Sequence, residues 1–367
     1  MKFTQIGRAA VIAVAGAVLL TSCAANEGTA PADSTSPSGS GDAALTGTLN
    51  GSGASSMGSA QEAWIAGFQG QNQGVTVNYE PGGSSVGREA FISGGVSFAG
   101  SDAFLSDEEL AGEFAACAPD ASAFDVPVYI SPIAIIFNVD GVDSLNLDAA
   151  TVGSIFKGDI TSWDDPAIVE QNPDATLPSS SITAVHRADG SGTTENFTDW
   201  LAANAPEVWD AEVGDEFPYA GESAQGTSGV VDAVTNGVGT IGYADASRAG
   251  DLGTVAIQVG EEYVAFTPEA AAMAVAASPR VENRPEGDIA VALDRTLTEP
   301  GAYPLVLISY AIACTEYADA EAGKLVNAYL TYITSPEGQD VAAEAAGTAP
   351  LSEELQTEVA EIVGAIK

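Results

Sequence analysis

The chain has 367 residues, 46% of them apolar, enough for two ordinary domains or one large one with a sizeable core. Eleven Lys and Arg stand against 51 Asp and Glu, a net charge of −40, and no basic stripe is present to neutralise the phosphates of a nucleic acid. A single histidine, His186, and three cysteines exclude a His- or Cys-rich metal centre, and any anion site must be local, built from dipoles more than from net charge.

In chain order, Lys2 and Arg8 form a basic region ahead of the apolar run Ala9 to Leu20, which is too short and too early for a spanning helix. The run ends in Leu20-Thr21-Ser22-Cys23, which resembles a bacterial lipobox. Residues 1–22 therefore read as a lipoprotein signal peptide and Cys23 as the lipidated first residue of the mature chain. An ordinary signal peptide with a chance cysteine is the alternative. Residues 23–44, rich in Ser, Gly, Pro, Ala and Thr, read as a flexible tether. No later segment is long and apolar enough to span a bilayer. The protein is expected to be exported and held on the outer face of the cell membrane by lipid alone.

From Leu45 onward short apolar strands alternate with helical patterns. Val75 to Tyr79, Val126 to Asn138, Ile182 to Val185, Thr240 to Tyr243 and Tyr303 to Ala313 are predicted strands. Ala60, Ala63, Trp64, Gly67 and Phe68 share one helical face. Ser106 to Glu109 reads as a capping box. Thr267-Pro268 and Ser335-Pro336 each place a proline just inside a helix start. The alternation predicts an α/β fold, doubly wound rather than a barrel. Cys117 and Cys314 are expected to pair, because two cysteines left over in an exported protein usually do.

Four small-residue loops carry the chemistry: Gly51-Ser52-Gly53-Ala54-Ser55-Ser56, Gly82-Gly83-Ser84-Ser85, Gly100-Ser101-Asp102, and Arg187-Ala188-Asp189-Gly190-Ser191-Gly192-Thr193-Thr194. Each follows a predicted strand, and the first, second and fourth run into helices. Glycine lets backbone approach a ligand, and a helix start offers unpaired N–H groups with partial positive charge. Several such starts facing one cleft would bind a tetrahedral oxyanion without much net positive charge. Taken singly, each loop is as well read as a turn or cap. None is a P-loop, since no lysine follows the glycine of the fourth. Gly83-Ser84-Ser85-Val86-Gly87 also matches the G-x-S-x-G nucleophile elbow, which would make Ser85, with His186 as its base, the centre of a secreted serine hydrolase or phosphatase.

At these loops the sequence resembles the phosphate-binding lipoprotein of the bacterial phosphate-specific ABC transporter, a periplasmic binding protein of type II. The likeness is carried by Gly51 to Ser55, Val77-Asn78-Tyr79 leading to Gly83-Ser84-Ser85, Phe98 to Asp102, and the string Arg187 to Thr193, with support from Trp163 to Ile168 and Gly239 to Tyr243. The resemblance implies two α/β lobes with a ligand cleft between them. Residues 45–130 and 303–367 would form lobe I, and 131–302 lobe II. It implies that inorganic phosphate is bound by Ser55, Ser56, Ser84, Asp102, Arg187, Ser191, Gly192 and Thr193, with Asp189 holding the guanidinium of Arg187. Asp102 would accept a proton from the ion; a sulfate or other oxyanion binder would keep the loops but have no use for it. The expected protein is a monomer without cofactor, metal or catalysed reaction, and its partners are phosphate and the permease subunits. The likeness is loosest in the C-terminal third.

Overall fold

A computed structural model describes residues 44–367; Cys23, the signal peptide 1–22 and the tether up to residue 43 lie outside the described residues. The elements run β1 (Gly47–Gly53), α1 (Gly58–Gln71), β2 (Val75–Glu80), α2 (Ser84–Ile92), β3 (Phe98–Ser101), α3 (Asp107–Leu110), β4 (Ala123–Asn138), β5 (Ser144–Leu147), α4 (Ala149–Lys157) and α5 (Pro166–Gln171). They continue with β6 (Thr183–Arg187), α6 (Gly192–Asn204), β7 (Glu222–Ala224), α7 (Gly226–Asn236), β8 (Thr240–Asp245), β9 (Gly253–Val259), β10 (Glu262–Val264), α8 (Pro268–Ala277), β11 (Val306–Cys314), α9 (Ala320–Thr334), α10 (Pro336–Ala346) and α11 (Glu353–Gly364).

The strands follow the order β2-β1-β3-β11-β4-β8-β6-β7, and β9 lies beside β4 and carries β5 and β10. β1 is parallel to β2 and β3, and β6 is parallel to β7 and β8. These two parallel patches are joined through antiparallel β11 and β4. β4 carries the connection between two lobes, and every residue of it but the last is buried. Its stretch Ala123 to Pro132 pairs with β11, and Ile133 to Asn138 pairs with β8. Two prolines sit inside this long strand, where a missing N–H donor would normally break the ladder. Pro127 lies opposite Tyr310 at the register shift between Ser309 and Tyr310, and Pro132 at the change of partner.

The predicted helix face is buried as Ala60, Gln61, Trp64 and Phe68, with Ala63 and Gly67 at its margin. Ser106 and Glu109 form a reciprocal capping box, although the helix it starts has only 4 residues. Pro268 and Pro336 open α8 and α10 behind the capping hydroxyls of Thr267 and Ser335. The last strand begins at Val306 rather than at the expected Tyr303, since Pro304 cannot donate to a ladder and its carbonyl is taken by Arg295 Nη1 at 3.1 Å.

Cys117 and Cys314 are joined by a disulfide across 197 residues of sequence, with Cα atoms 5.4 Å apart. Closing a loop that long is worth up to about 4–5 kcal/mol in the chain-entropy picture. The irregular segment before β11 is bound to both β4 and α6. Arg284 pairs with buried Asp125 at 2.8 Å and with Asp288 at 2.6 Å, while Arg295 pairs with Asp199 of α6 at 2.8 Å.

Near the change of partner in β4, Asp245 is fully buried and accepts from Tyr129 Oη at 3.0 and 3.1 Å. Burial pushes its carboxyl up to about 6, against the hydrogen bonds that favour the anion. An acid raised in the folded state stabilises the fold below its unfolded value near 4, and that contribution is lost as pH rises through about 6. Asp245→Asn keeps an acceptor for Tyr129 and removes the buried charge. It is expected to exceed the parent in unfolding free energy by up to about 2–3 kcal/mol at pH 7.5, with the gap closing at pH 4.5. Urea unfolding of both proteins at the two pH values measures this. A gap that does not change with pH contradicts it.

Candidate functional site

The helix starts divide into two kinds. Ser, Thr or Asp side chains cap α3 to α6 and α8 to α11. Among the described residues, α1, α2 and α7 are the helices whose first turns no side chain caps from the N-cap position. An uncapped start presents free N–H donors and the positive end of the helix dipole. The three belong to different parts of the sequence, yet the sheet gathers them. β1 delivers the α1 start with Ser55 and Ser56, β2 that of α2 with Ser84, and β7 that of α7 with Thr227. Ser55 Oγ lies 3.1 Å from Thr227 Oγ1 and accepts from the Thr227 N–H at 3.1 Å, joining α1 to α7 across the cleft.

Asp102, just after β3, is 4% exposed. Its Oδ1 accepts from Ser56 Oγ and Ser309 Oγ, both at 2.7 Å, and its Oδ2 accepts from Thr193 Oγ1 at 2.9 Å. Its N–H donates to Ser84 Oγ at 3.0 Å, and its carbonyl accepts from Asn196 Nδ2 at 2.9 Å. Burial raises the pKa of this carboxyl above its ordinary value, although the three hydroxyls and the nearby Arg187 charge pull it down. The group is a fixed acceptor among donors, suited to an anion that carries its own proton.

Arg187 ends β6 and is 4% exposed. Asp189 grips its guanidinium twice, Nε at 2.8 Å on Oδ1 and Nη2 on Oδ2. The Gly226 N–H donates to Asp189 Oδ1 at 2.9 Å, so the same carboxylate positions both the guanidinium and the α7 start. Burial would raise the Asp189 carboxyl, but the bond and charge of Arg187 hold it below the ordinary range. Ser191 caps α6 by accepting from the Thr194 N–H at 3.2 Å, which leaves its hydroxyl proton free to donate. A Cβ on Gly192 would lie 2.7 Å from both Asp102 Cβ and Ser84 Oγ, so only glycine lets the α6 start close on the opposite lobe. Gly83, at φ 109°, is held by a similar approach, since a Cβ there would lie 2.6 Å from Asp189 Oδ2.

Of the eight residues expected to touch an ion, Ser55, Ser56, Ser84, Ser191, Gly192 and Thr193 lie on loops around Asp102 and Arg187. Ser56 differs in detail, since its hydroxyl is spent on Asp102. Two residues that bond to these loops, Thr227 and Ser309, do not stand out in the sequence. Thr227 opens α7 in the small-residue string Gly226-Thr227-Ser228-Gly229, which has the character of the four loops already identified. Ser309 is the one serine inside the buried run of β11, and a polar group in such a run needs a partner. Beyond Asp102 a cavity of about 350 Å³ is walled in part by Glu195, Asp199 and Arg295. Its two carboxylates disfavour an anion there.

The hydrolase arrangement does not form. Ser85 Oγ donates to Asp215, while His186 bonds through Nδ1 to the Arg187 carbonyl at 2.9 Å and stacks on Phe217 with centroids 4.5 Å apart. His186, the expected base, is therefore turned away from Ser85, and the carboxylate that takes the Ser85 hydroxyl is not part of a Ser-His pair.

Residues 38–337 match the family described as the PBP superfamily domain. Phosphate-binding protein PstS 3 of Mycobacterium tuberculosis is 32% identical over 375 residues, covering 100% of both chains. Its namesake from Mycobacterium leprae is 34% identical over 341 residues, 90% of each. Among solved structures, a high-affinity periplasmic phosphate-binding protein with phosphate bound superposes with a TM-score of 0.67 at 22% identity, over 85% of this chain and 93% of that one. The phosphate-binding protein of Stenotrophomonas maltophilia gives 0.62 at 21%, over 86% and 94%. At such identities the two structures speak to the fold, a two-lobe binding protein of type II.

Proposed function

The chain belongs to the PBP superfamily, among its phosphate-binding proteins, and from that premise we propose that it captures inorganic phosphate in the inter-lobe cleft and hands it to a membrane ABC importer. The observation that carries the reading is the meeting of the Arg187–Asp189 fork, the uncapped starts of α1, α2 and α7, and the acceptor Asp102. Donors neutralise a tetrahedral anion, and one acceptor takes the proton that phosphate keeps at neutral pH. Ser55, Ser84, Arg187, Ser191 and the backbone at Ser56, Gly192 and Thr193 are the proposed ligands, and Thr227, whose N–H donates to Ser55 Oγ, positions Ser55. Asp189 positions the fork. Thr193 and Ser309 position Asp102. No reaction follows binding; lobe opening releases the ion.

We place lobe I at residues 45–130 and 303–367 and lobe II at 131–302, meeting in β4. Residues 278–302 would then act as a strap, because Arg284 and Arg295 bind it to both sides. Calorimetric titration in phosphate-stripped buffer tests the function. Tight phosphate binding with sulfate far weaker is expected, and no phosphate binding refutes it.

Export and lipid anchoring at Cys23, with the protein acting as a monomer beside its permease, complete the reading. Cys23→Ala is expected to move the protein from the membrane fraction to the soluble fraction of cells and medium. A variant that stays as membrane-bound as the parent removes the anchor.

A further inference from the structure

Asp215 lies between α6 and β7 and makes no side-chain contact with the proposed ligands. Its neighbour Gly214 is pinned to α6, its N–H donating to Thr198 Oγ1 at 3.3 Å and its carbonyl accepting from that hydroxyl at 3.2 Å. The Asp215 carbonyl accepts from the Ser191 N–H at 2.9 Å, so the segment is fixed to the ligand-bearing start of α6. The Asp215 carboxylate points the other way, across the cleft. Its Oδ2 accepts from Ser85 Oγ in the first turn of α2 and lies 4.0 Å from Arg88 Nη2 one turn later. The Ser85 N–H also donates to the Gly190 carbonyl at 3.4 Å. The first turn of α2 has no acidic residue and no side-chain cap of its own, so a carboxylate arriving there meets a favourable dipole, a hydroxyl and a guanidinium. Arg88 in turn donates to Ser101 Oγ at 3.2 Å, next to Asp102.

We propose that Asp215 is a closure latch, a positioning residue that docks on Ser85 and Arg88 when the lobes shut and so sets how long phosphate stays bound. The proposal rests on phosphate being the ligand of this cleft. A contact made only in the closed state stabilises that state over the open one. It slows release and leaves encounter with the open cleft unchanged. Asp215 is about one-third exposed, which keeps the effect moderate.

Stopped-flow measurement of phosphate association and release tests the latch, using the parent, Asp215→Ala, Ser85→Ala and the double variant. Each single variant is expected to release phosphate about 3- to 10-fold faster, with association changed by less than about twofold. The double variant should be no faster than the singles, because the two groups form one contact. Melting temperatures without phosphate should match the parent, which a merely structural role would lower. If Asp215→Ala fails to fold, Ser85→Ala tests the contact from the opposite lobe. Parent-like release in Ser85→Ala, or effects that add in the double variant, overturn the latch alone. A parent that binds no phosphate overturns both the latch and the function beneath it.

Discussion

Arg187→Ala is expected to weaken phosphate binding by about 10²- to 10⁴-fold. A charge-assisted hydrogen bond is worth roughly 1.5–3 kcal/mol, and the guanidinium can offer an anion two of them at about 1.4 kcal/mol per decade. The loss does not end with the missing cation. Asp189 has a nearly buried side chain that two bonds to Arg187 hold below the ordinary carboxylate range. Without its partner that charge faces the incoming anion and adds repulsion. Arg187→Lys should recover only part of the affinity, because an ammonium cannot span both Asp189 oxygens and still present a fork to the ion. Calorimetry on the three proteins decides it. An Arg187→Ala protein within a few-fold of the parent removes Arg187 from the site.

Asp102→Asn is expected to shrink the preference for phosphate over sulfate. Two unit charges 4 Å apart at an effective dielectric of 20 repel by roughly 4 kcal/mol. Sulfate, which carries no proton, meets that repulsion in full, whereas protonated phosphate turns it into a hydrogen bond. A buried group awaiting a specific partner can reject the wrong ion by roughly 10⁴-fold or more. The geometry says how asparagine would sit. The carboxyl oxygen that takes two hydroxyls, from Ser56 and Ser309, becomes the amide oxygen, and the amide nitrogen replaces the oxygen beside Thr193. That nitrogen can donate to either ion. Since burial raises the Asp102 carboxyl, the parent should also lose some of its discrimination as pH falls through that raised value, where the neutral acid can donate to sulfate. Titration of both ions against both proteins measures the gap. A parent that binds sulfate as well as phosphate, or an asparagine variant with the same preference, rules Asp102 out as the discriminating group.

The sequence by itself determined what depends on near neighbours. The capping box at Ser106, the prolines opening α8 and α10, the alternation of β2 and the apolar run of β4 are all readable from residues a few places apart, because caps and pleats are satisfied locally. So were the glycine and serine loops, whose conformational freedom and donors are properties of the residues themselves. Only the tertiary structure decided which hydroxyls face which charges. Ser55 meets Thr227 across 172 residues, Ser309 meets Asp102 across 207, and Ser85 meets Asp215 rather than His186. Ser309 looked like one more member of a buried strand until the register of β11 against β3 and β4 turned it toward Asp102. Uncapped helix starts carry no mark in their own sequence that separates an anion site from a weak cap. The starts of α1 and α2 follow neighbouring parallel strands, β1 and β2, whereas α7 follows β7 at the far end of the strand order; they meet, Ser55 against Thr227, only because packing of the whole chain folds that order round.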